Sequence, residues 1–449
     1  MKRKINLLEG PIFPTLMKLA LPIMGTSLIQ MAYNLTDMIW IGRIGAEAVA
    51  SVGSAGMYMW LSNGISTLVK MGGQVNVGQS MGAKNKDQAT HYASASLQLG
   101  IMFGLIYGLI TLFFHKQMIS FFHLTSPDVI RDAEIYLIIT CGFVVINFLN
   151  QIFTSLMTAI GNSHHPFVAT TVGLVVNIIL DPIFIFGLDM GVLGAAVATV
   201  IAQTIVLANM IYHARRDHIL FDGVSLRKCN ESRIFKNIIK IGAPIGIQSM
   251  CFTFISMVIA RFIAGYGDVA IAVQKVGSQI ESISWMSAEG FGSALNAFVA
   301  QNYGANDYQR VRKGTFSALK TSLVWGSMTT FVLLVFPGMI FSVFINEADI
   351  IPLGVDYLRI LGFSQLFMCV ESTLAGALNG LGKTFIPSSV SITLTAARIP
   401  LVMLLSATAL GLNGIWWSIS ISSICKGLVI TACFLYVFKK MHIDQNIVE

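Results

Sequence analysis

The chain has 449 residues, of which 55% are hydrophobic and only 11% charged, and it carries a formal net charge of +7. Soluble domains carry about 25% charged residues; this composition, with a mean hydropathy of +0.72, excludes that class and points to a protein that crosses a bilayer many times. The positive balance calls for no nucleic-acid partner if the basic residues gather on one side of the membrane.

The first apolar run follows Met1-Lys2-Arg3-Lys4. It is longer than the core of about 7–15 residues typical of a signal peptide and has no clear small-residue cleavage site, so it reads as a mature first helix. A window of about 20 residues predicts twelve spans. They lie near 15–41, 46–72, 90–114, 130–152, 166–187, 191–213, 238–264, 268–294, 315–336, 354–376, 387–410 and 414–438. An N-terminus in the cytoplasm places Lys2, Arg3, Lys4, Lys84, Lys86, Arg215, Arg216, Arg227, Lys228, Arg233, Lys236, Arg310, Arg312, Lys313, Lys383, Lys439 and Lys440 inside. The other side keeps mainly Arg43, Lys116, Arg131 and Arg359, together with the acidic Glu347, Asp349 and Asp356. The basic bias therefore predicts a multi-pass plasma-membrane protein with both termini cytoplasmic.

The first span, LALPIMGTSLIQMAYNLTDMIWIGRIG, carries one carboxylate, Asp37. An ionised Asp at the centre of a membrane helix costs roughly 2.5–3.5 kcal/mol on insertion scales, so such a residue usually faces a cavity, a partner or an ion. The fifth span contains NIILDPIF, where Asn177 and Asp181 share a helix face at i, i+4. At 1.5 Å of rise per residue, Asp37, Tyr136, Asp181 and Thr199 all lie roughly 8–13 Å below the outer surface. Four helices thus bring polar groups to one level, although Asn177 and Asp181 also suit a plain interhelical hydrogen-bond pair. Pro182 frees a carbonyl near Ile178 and favours a bend there. Pro22 and Gly25 on the first span, with Pro182 and Gly187 on the fifth, are the predicted conformational hinges.

An internal repeat sets the architecture. An offset of 222 residues lays Pro22-Ile23 on Pro244-Ile245 and VGQSMGA (77–83) on VAQNYGA (299–305). At 221 Gly161 and Pro166 meet Gly382 and Pro387, and at 220 Gly191 and Gly194 meet Gly411 and Gly414. Six spans per half give both halves the same orientation, so a pseudo-two-fold axis runs along the membrane normal with a cleft between lobes. The expectation is an all-α membrane protein: a first six-helix lobe over 1–213, a cytoplasmic linker over 214–236 and a second lobe over 237–449.

The second half carries Lys275, Glu281 and Glu289 on its eighth span, Glu371 on the tenth and Arg398 on the eleventh. Arg398 and Glu281 fall near mid-membrane by residue count and read as a neutralising pair. Alternatively Glu281 or Glu371 faces the cleft and attracts a cationic substrate; Gln30, Asn34, Gln248 and Arg398 are further candidates for cleft or substrate contacts. Lys70 reads as snorkelling to the inner surface. Some of the 22 methionines, such as Met57, Met59, Met250 and Met286, suit either an adaptable pocket or lipid-facing packing.

Enzyme readings find little support. Gly380-Leu381-Gly382-Lys383-Thr384 resembles the end of a phosphate loop, but the first glycine of that motif would be residue 377, which is Ala. The six cysteines show no metal spacing, and His164-His165 lack the HExxH pattern. No cofactor or metal is implied beyond a coupling H+ or Na+.

The start at LPI with its Asp in NLTDMIWIGRIG, the paired VGQSMGA and VAQNYGA signatures, NIILDPIFIFG and MGVLGAAVAT together resemble the multidrug and toxic compound extrusion (MATE) family, over essentially the whole chain. The resemblance implies two six-helix lobes in a V, exporting amphipathic, often cationic compounds against inward H+ or Na+. Asp37, Tyr136, Asn177, Asp181 and Thr199 match the ion-coupling constellation of the DinF-type and archaeal members. NorM-type members add a Glu on the seventh helix, which is absent here. The expected function is therefore a cation-coupled antiporter of drugs or metabolites working by alternating access, and a monomer. The alternative is a flippase for a lipid-linked precursor from the same broad superfamily.

Overall fold

The computed structural model describes residues 5–446 apart from 123, 125, 218, 228, 229, 346 and 348; Lys2, Arg3, Lys4, Lys228 and Cys229 lie outside the described residues. The first half runs α1 (Ile12–Ile44), α2 (Ala46–Gly82), α3 (Lys86–Ser120), α4 (Pro127–Gly142), α5 (Val144–Ala159), α6 (His164–Pro182) and α7 (Gly191–Arg215). The second half runs α8 (Ser232–Ala264), α9 (Asp268–Gly304), α10 (Tyr308–Val335), a short α11 (Pro337–Ser342), α12 (Ile351–Gly380), α13 (Phe385–Ala396), α14 (Arg398–Ser406) and α15 (Leu412–Asn446). Pairing α4 with α5 through a 43° bend, and α13 with α14 across Ala397, gives twelve membrane helices, six in each lobe. No strand occurs among the described residues. Most helices run beyond the predicted spans, as membrane helices do when their ends project from the hydrocarbon.

Among the described residues, nine helices, with α13 and α14 counted as one, are long and apolar enough to cross a membrane, and the bent α4–α5 pair makes up a tenth. The two remaining, α2 and α9, are 37 residues each and more polar. They occupy equivalent places in the repeat, and both reach the opposite lobe, Gln74 and Gln79 of α2 donating to Ser293 O and Gly380 O and Gln301 of α9 to Ala159 O.

The repeat is written into the backbone as well as the sequence. Lys84 and Asn306, 222 residues apart, both adopt left-handed φ, +56° and +58°. One residue later Asn85 and Asp307 cap the next helix, accepting from the backbone N–H of Gln88 at 3.0 Å and of Arg310 at 2.8 Å. Gly161 and Gly382 share φ of +81° and +76° at the turns after α5 and α12, a region that costs a residue with a Cβ about 1–2 kcal/mol.

Burial separates the two ends of the molecule. On the half where α1 begins and α2 ends, here the basic face, one apolar cluster joins Leu16, Leu19 and Ala20 of α1 to Phe291, Leu295 and Phe298 of α9 and Leu374 of α12. A second joins Val69, Val77 and Leu156 to Ile238 of α8. On the opposite half the clusters divide by lobe: one around Ile41, Tyr107 and Phe148 is built from the first lobe alone. Two others, around Tyr357 and Trp416 and around Ile259 and Val402, come from the second alone. The glycines of α2 repeat this pattern. A methyl group at Gly64, Gly72, Gly78 or Gly82 would strike the second lobe, whereas one at Gly53 or Gly56 would meet nothing within 4 Å. The lobes are thus fused on the basic face and separate on the other, leaving a cleft between them.

Two hydrogen bonds related by the pseudo-two-fold axis fasten the fused end. The Gln79 side chain donates to the Gly380 carbonyl at 2.9 Å, and Gln301 donates to the Ala159 carbonyl. Gly82 lies against the Gln301 backbone and Gly304 against that of Gln79, an approach no larger residue permits. The segment before α1 adds a strap. The Ile5 N–H donates to Gly161 O at 3.3 Å, while the Arg310 guanidinium donates to the carbonyls of Leu7, Glu9 and Gly10 at 2.9–3.2 Å.

Candidate functional site

Four helices of the first lobe place oxygen atoms in one buried cluster. α1 contributes Tyr33 and Asp37, one turn apart on the face that packs against α6; α4 contributes Tyr136; α6 contributes Asn177 and Asp181; α7 contributes Thr199 and Gln203. Asp37, Asp181, Asn177, Tyr33 and Tyr136 are all buried. The Asn177 amide donates to Asp181 Oδ1 at 2.9 Å, as the i, i+4 spacing predicts. The Asp37 and Asp181 carboxyl groups lie within electrostatic reach of each other and of both tyrosines, and the Tyr33 hydroxyl neighbours Thr199 and Gln203. Five atoms in this cluster have no hydrogen-bond partner among the described residues: Tyr33 OH, Asp37 Oδ1, Asn177 Oδ1, Asp181 Oδ2 and Thr199 Oγ1.

A buried polar atom with no partner costs about 1–3 kcal/mol, so five together need a reason. The five unpartnered atoms are all oxygens, from two carboxylates, one amide and two hydroxyls, a set that suits a hard cation or a proton and not a soft metal. Sequence reasoning missed Tyr33 and Gln203, although both signals were present: Tyr33 precedes Asp37 by four residues, and Gln203 follows Thr199 by four.

The hinge residues occupy distinct settings. α1 stays helical through Pro22, whose carbonyl accepts from Thr26 Oγ1 at 2.9 Å, and Gly25 gives the ring of Phe167 room to approach. At Pro182 α6 changes to one π turn, Ile183–Gly187, a feature common at functional sites.

In the second lobe the structure corrects the expected charge pairing. Arg398 donates to Ser422 Oγ at 2.6 Å and Ser423 Oγ at 3.0 Å and makes no direct ion pair with Glu281. Glu281 accepts from the Tyr357 hydroxyl at 2.6 Å. Glu371 pairs with Lys426 of α15 at 3.1 Å, a cation the sequence reading did not single out. Glu371 and Arg398 are buried inside the lobe and do not line the cleft. The reason is angular: residue count fixes depth along a helix but not the direction in which a side chain leaves it. Gln30 and Asn34 are exposed on α1 and Gln248 is half-buried on α8. Lys70 does not reach the basic surface; it sits three turns inside the end of α2, beside Glu289 of the other lobe. Among the described residues no His, Cys, Asp and Glu cluster has the makings of a metal site.

Comparison with known proteins agrees with this fold. The MatE family profile matches twice, over residues 22–183 and 244–404, one match per lobe. The "Probable multidrug resistance protein NorM" of Thermotoga maritima is 27% identical over 411 residues, 89% of this chain and 87% of that protein. The "Multidrug export protein MepA" of Staphylococcus aureus is 25% identical over 93% of this chain and 92% of its own. Among solved structures, an "Outward-facing conformation of a multidrug resistance MATE family transporter" superposes with a TM-score of 0.90 at 20% identity, covering 98% of this chain and 99% of that one. A MOP superfamily transporter from Pyrococcus furiosus superposes with a TM-score of 0.90 at 21% identity, covering 98% of each chain. With the repeat matched lobe by lobe and the fold shared along its whole length, this chain belongs to the MatE family, the multidrug and toxic compound extrusion transporters.

Proposed function

We propose that the protein is a cation-coupled antiporter that exports amphipathic, often cationic drugs or metabolites in exchange for H+ or Na+. The observation that carries this reading is the first-lobe cluster, in which five buried oxygen atoms, two of them on the Asp37 and Asp181 carboxyl groups, have no hydrogen-bond partner among the described residues. A desolvated pair of carboxylates cannot remain doubly ionised without a counter-cation, so the cluster takes up a proton or a sodium ion as the coupling substrate. Uptake changes the charge held between α1 and α6, and the Pro182 π turn lies where that change can bend a helix. The protein then alternates between the cleft described above and one open on the basic face, with both termini in the cytoplasm and the chain acting as a monomer in the plasma membrane. The names of the relatives favour this over lipid-precursor flipping.

Reconstituted vesicles with imposed H+ or Na+ gradients test the proposal. Asp37→Asn and Asp181→Asn each leave equilibrium binding of a fluorescent cation in place and reduce gradient-driven efflux by at least about tenfold. Efflux that still responds to the gradient in both variants rules out this cluster as the coupling site.

A further inference from the structure

The floor of the cleft holds two opposite charges that do not touch. On α2, Gln74, Gly78 and Gly82 follow one another at four-residue intervals along the face turned to α9; Gln74 donates to Ser293 O at 3.4 Å, Gly78 packs on Ala300 and Gly82 on Gln301. One turn from this contact toward the open face, the same two faces continue as Lys70 on α2 and Glu289 on α9. Farther toward the open face α2 still meets the second lobe, but through α8, with Gly64 against Gly246 and Met250. Glu289 is exposed and Lys70 half-exposed, although both lie deep along their helices. Each senses the other's charge, yet neither makes a direct hydrogen bond or ion pair among the described residues. Glu371, the other carboxylate near Glu289, is already neutralised by Lys426 at 3.1 Å.

An unpaired charge at this depth costs several kcal/mol unless something answers it, and these two stand on separate lobes, Glu289 exposed and Lys70 half-exposed. A ligand that carries a single positive charge satisfies Glu289 but lies beside the Lys70 ammonium. A ligand with a cation at one end and an anion at the other satisfies both. The floor around it is soft: Met24 packs on Gly290, Met250 on Gly64, and Met31 accepts from Ser282 Oγ at 3.3 Å, so thioethers can fit varied apolar bodies.

We infer that Lys70 and Glu289 form a substrate subsite at the cleft vertex that selects zwitterionic amphiphiles, the ammonium of the substrate held by Glu289 and its carboxylate by Lys70. The inference rests on the export reading above and refines its substrate class.

The test is equilibrium binding to the purified full-length protein with no gradient, read by the intrinsic fluorescence of ciprofloxacin, a zwitterion near neutral pH, and of its ethyl ester, a cation of nearly the same shape. The wild type binds the acid at least about tenfold more tightly than the ester. Lys70→Met lowers that ratio to within about threefold, Lys70→Arg keeps it, and Glu289→Gln weakens both compounds. Each variant is first checked for a monodisperse gel-filtration profile, and Lys70→Arg retains the charge if Lys70→Met does not fold. A wild type without preference, or a ratio unmoved in Lys70→Met, overturns the subsite. Because no gradient is applied, an intact ratio beside failed gradient-driven efflux would instead overturn the coupling proposal and leave the subsite standing.

Discussion

Lys426 is what allows Glu371 to remain inside the second lobe. Both are buried, 3.1 Å apart, with Arg398 and its two serine partners nearby. Removing one member of a buried pair leaves the other charge uncompensated, at a cost of about 3–5 kcal/mol, whereas removing both charges together costs far less. Lys426→Met is therefore expected to lower the thermal unfolding midpoint in detergent markedly, and adding Glu371→Gln to recover most of the loss. A double variant as unstable as the single one would mean that the pair does not stabilise the lobe in this way. At this scale the sequence was readable where partners share a helix and opaque where they do not. Asn177 with Asp181 followed from an i, i+4 spacing, and so could Tyr33 with Asp37. Lys426 with Glu371 joins α15 to α12, and no local spacing encodes that.

Among the elements, α2 and α9 behave unlike the rest because they carry the paired glutamine bonds between the lobes. Their closest approach depends on Gly82 and Gly304, each packed on the backbone of the opposing glutamine. Gly82→Val or Gly304→Val is expected to push the two helix ends apart by several Å, about the thickness of the added side chain. Spin labels at exposed sites on Lys84 and Asn306 would register the change as a longer, broader distance distribution than in the parent protein. An unaltered distribution would show that the ends can yield without separating. The twelve helices were legible from hydropathy and basic-residue bias, but two breaks were not placed. The one at Ala397 had a signal, since Pro400 cannot donate to the Ala396 carbonyl, where α13 ends. The one at Phe143 follows Gly142, and a single glycine in an apolar helix is too common to announce a bend of 43°.

Taken as a whole, the molecule is two halves joined at one end. The repeat made the pairing of lobes readable, because positions 222 residues apart must play equivalent roles. Which end is fused could not be read that way, since a symmetric sequence is compatible with closure at either face. That is settled by the distribution of mixed and unmixed apolar clusters.

The crossed glutamine bonds carry a consequence for how such a protein can be assembled. Gln79 reaches the backbone of the second half at Gly380, and its counterpart Gln301 reaches the backbone of the first at Ala159. Each half gives what it receives, so the contact is isologous, the kind that two identical subunits make about a two-fold axis. Because the acceptors are carbonyl groups, neither bond uses the side chain at 159 or 380, although Gly380 itself has no room for a Cβ against Asn296 and Val299 of α9. The covalent link between halves, residues 216–231 between α7 and α8, is then not what holds them together. Co-expressed fragments 1–217 and 218–449 are expected to copurify from membranes as a stoichiometric pair, and Gln79→Ala with Gln301→Ala to weaken that association by at least about tenfold. Fragments that never associate would show the linker to be indispensable.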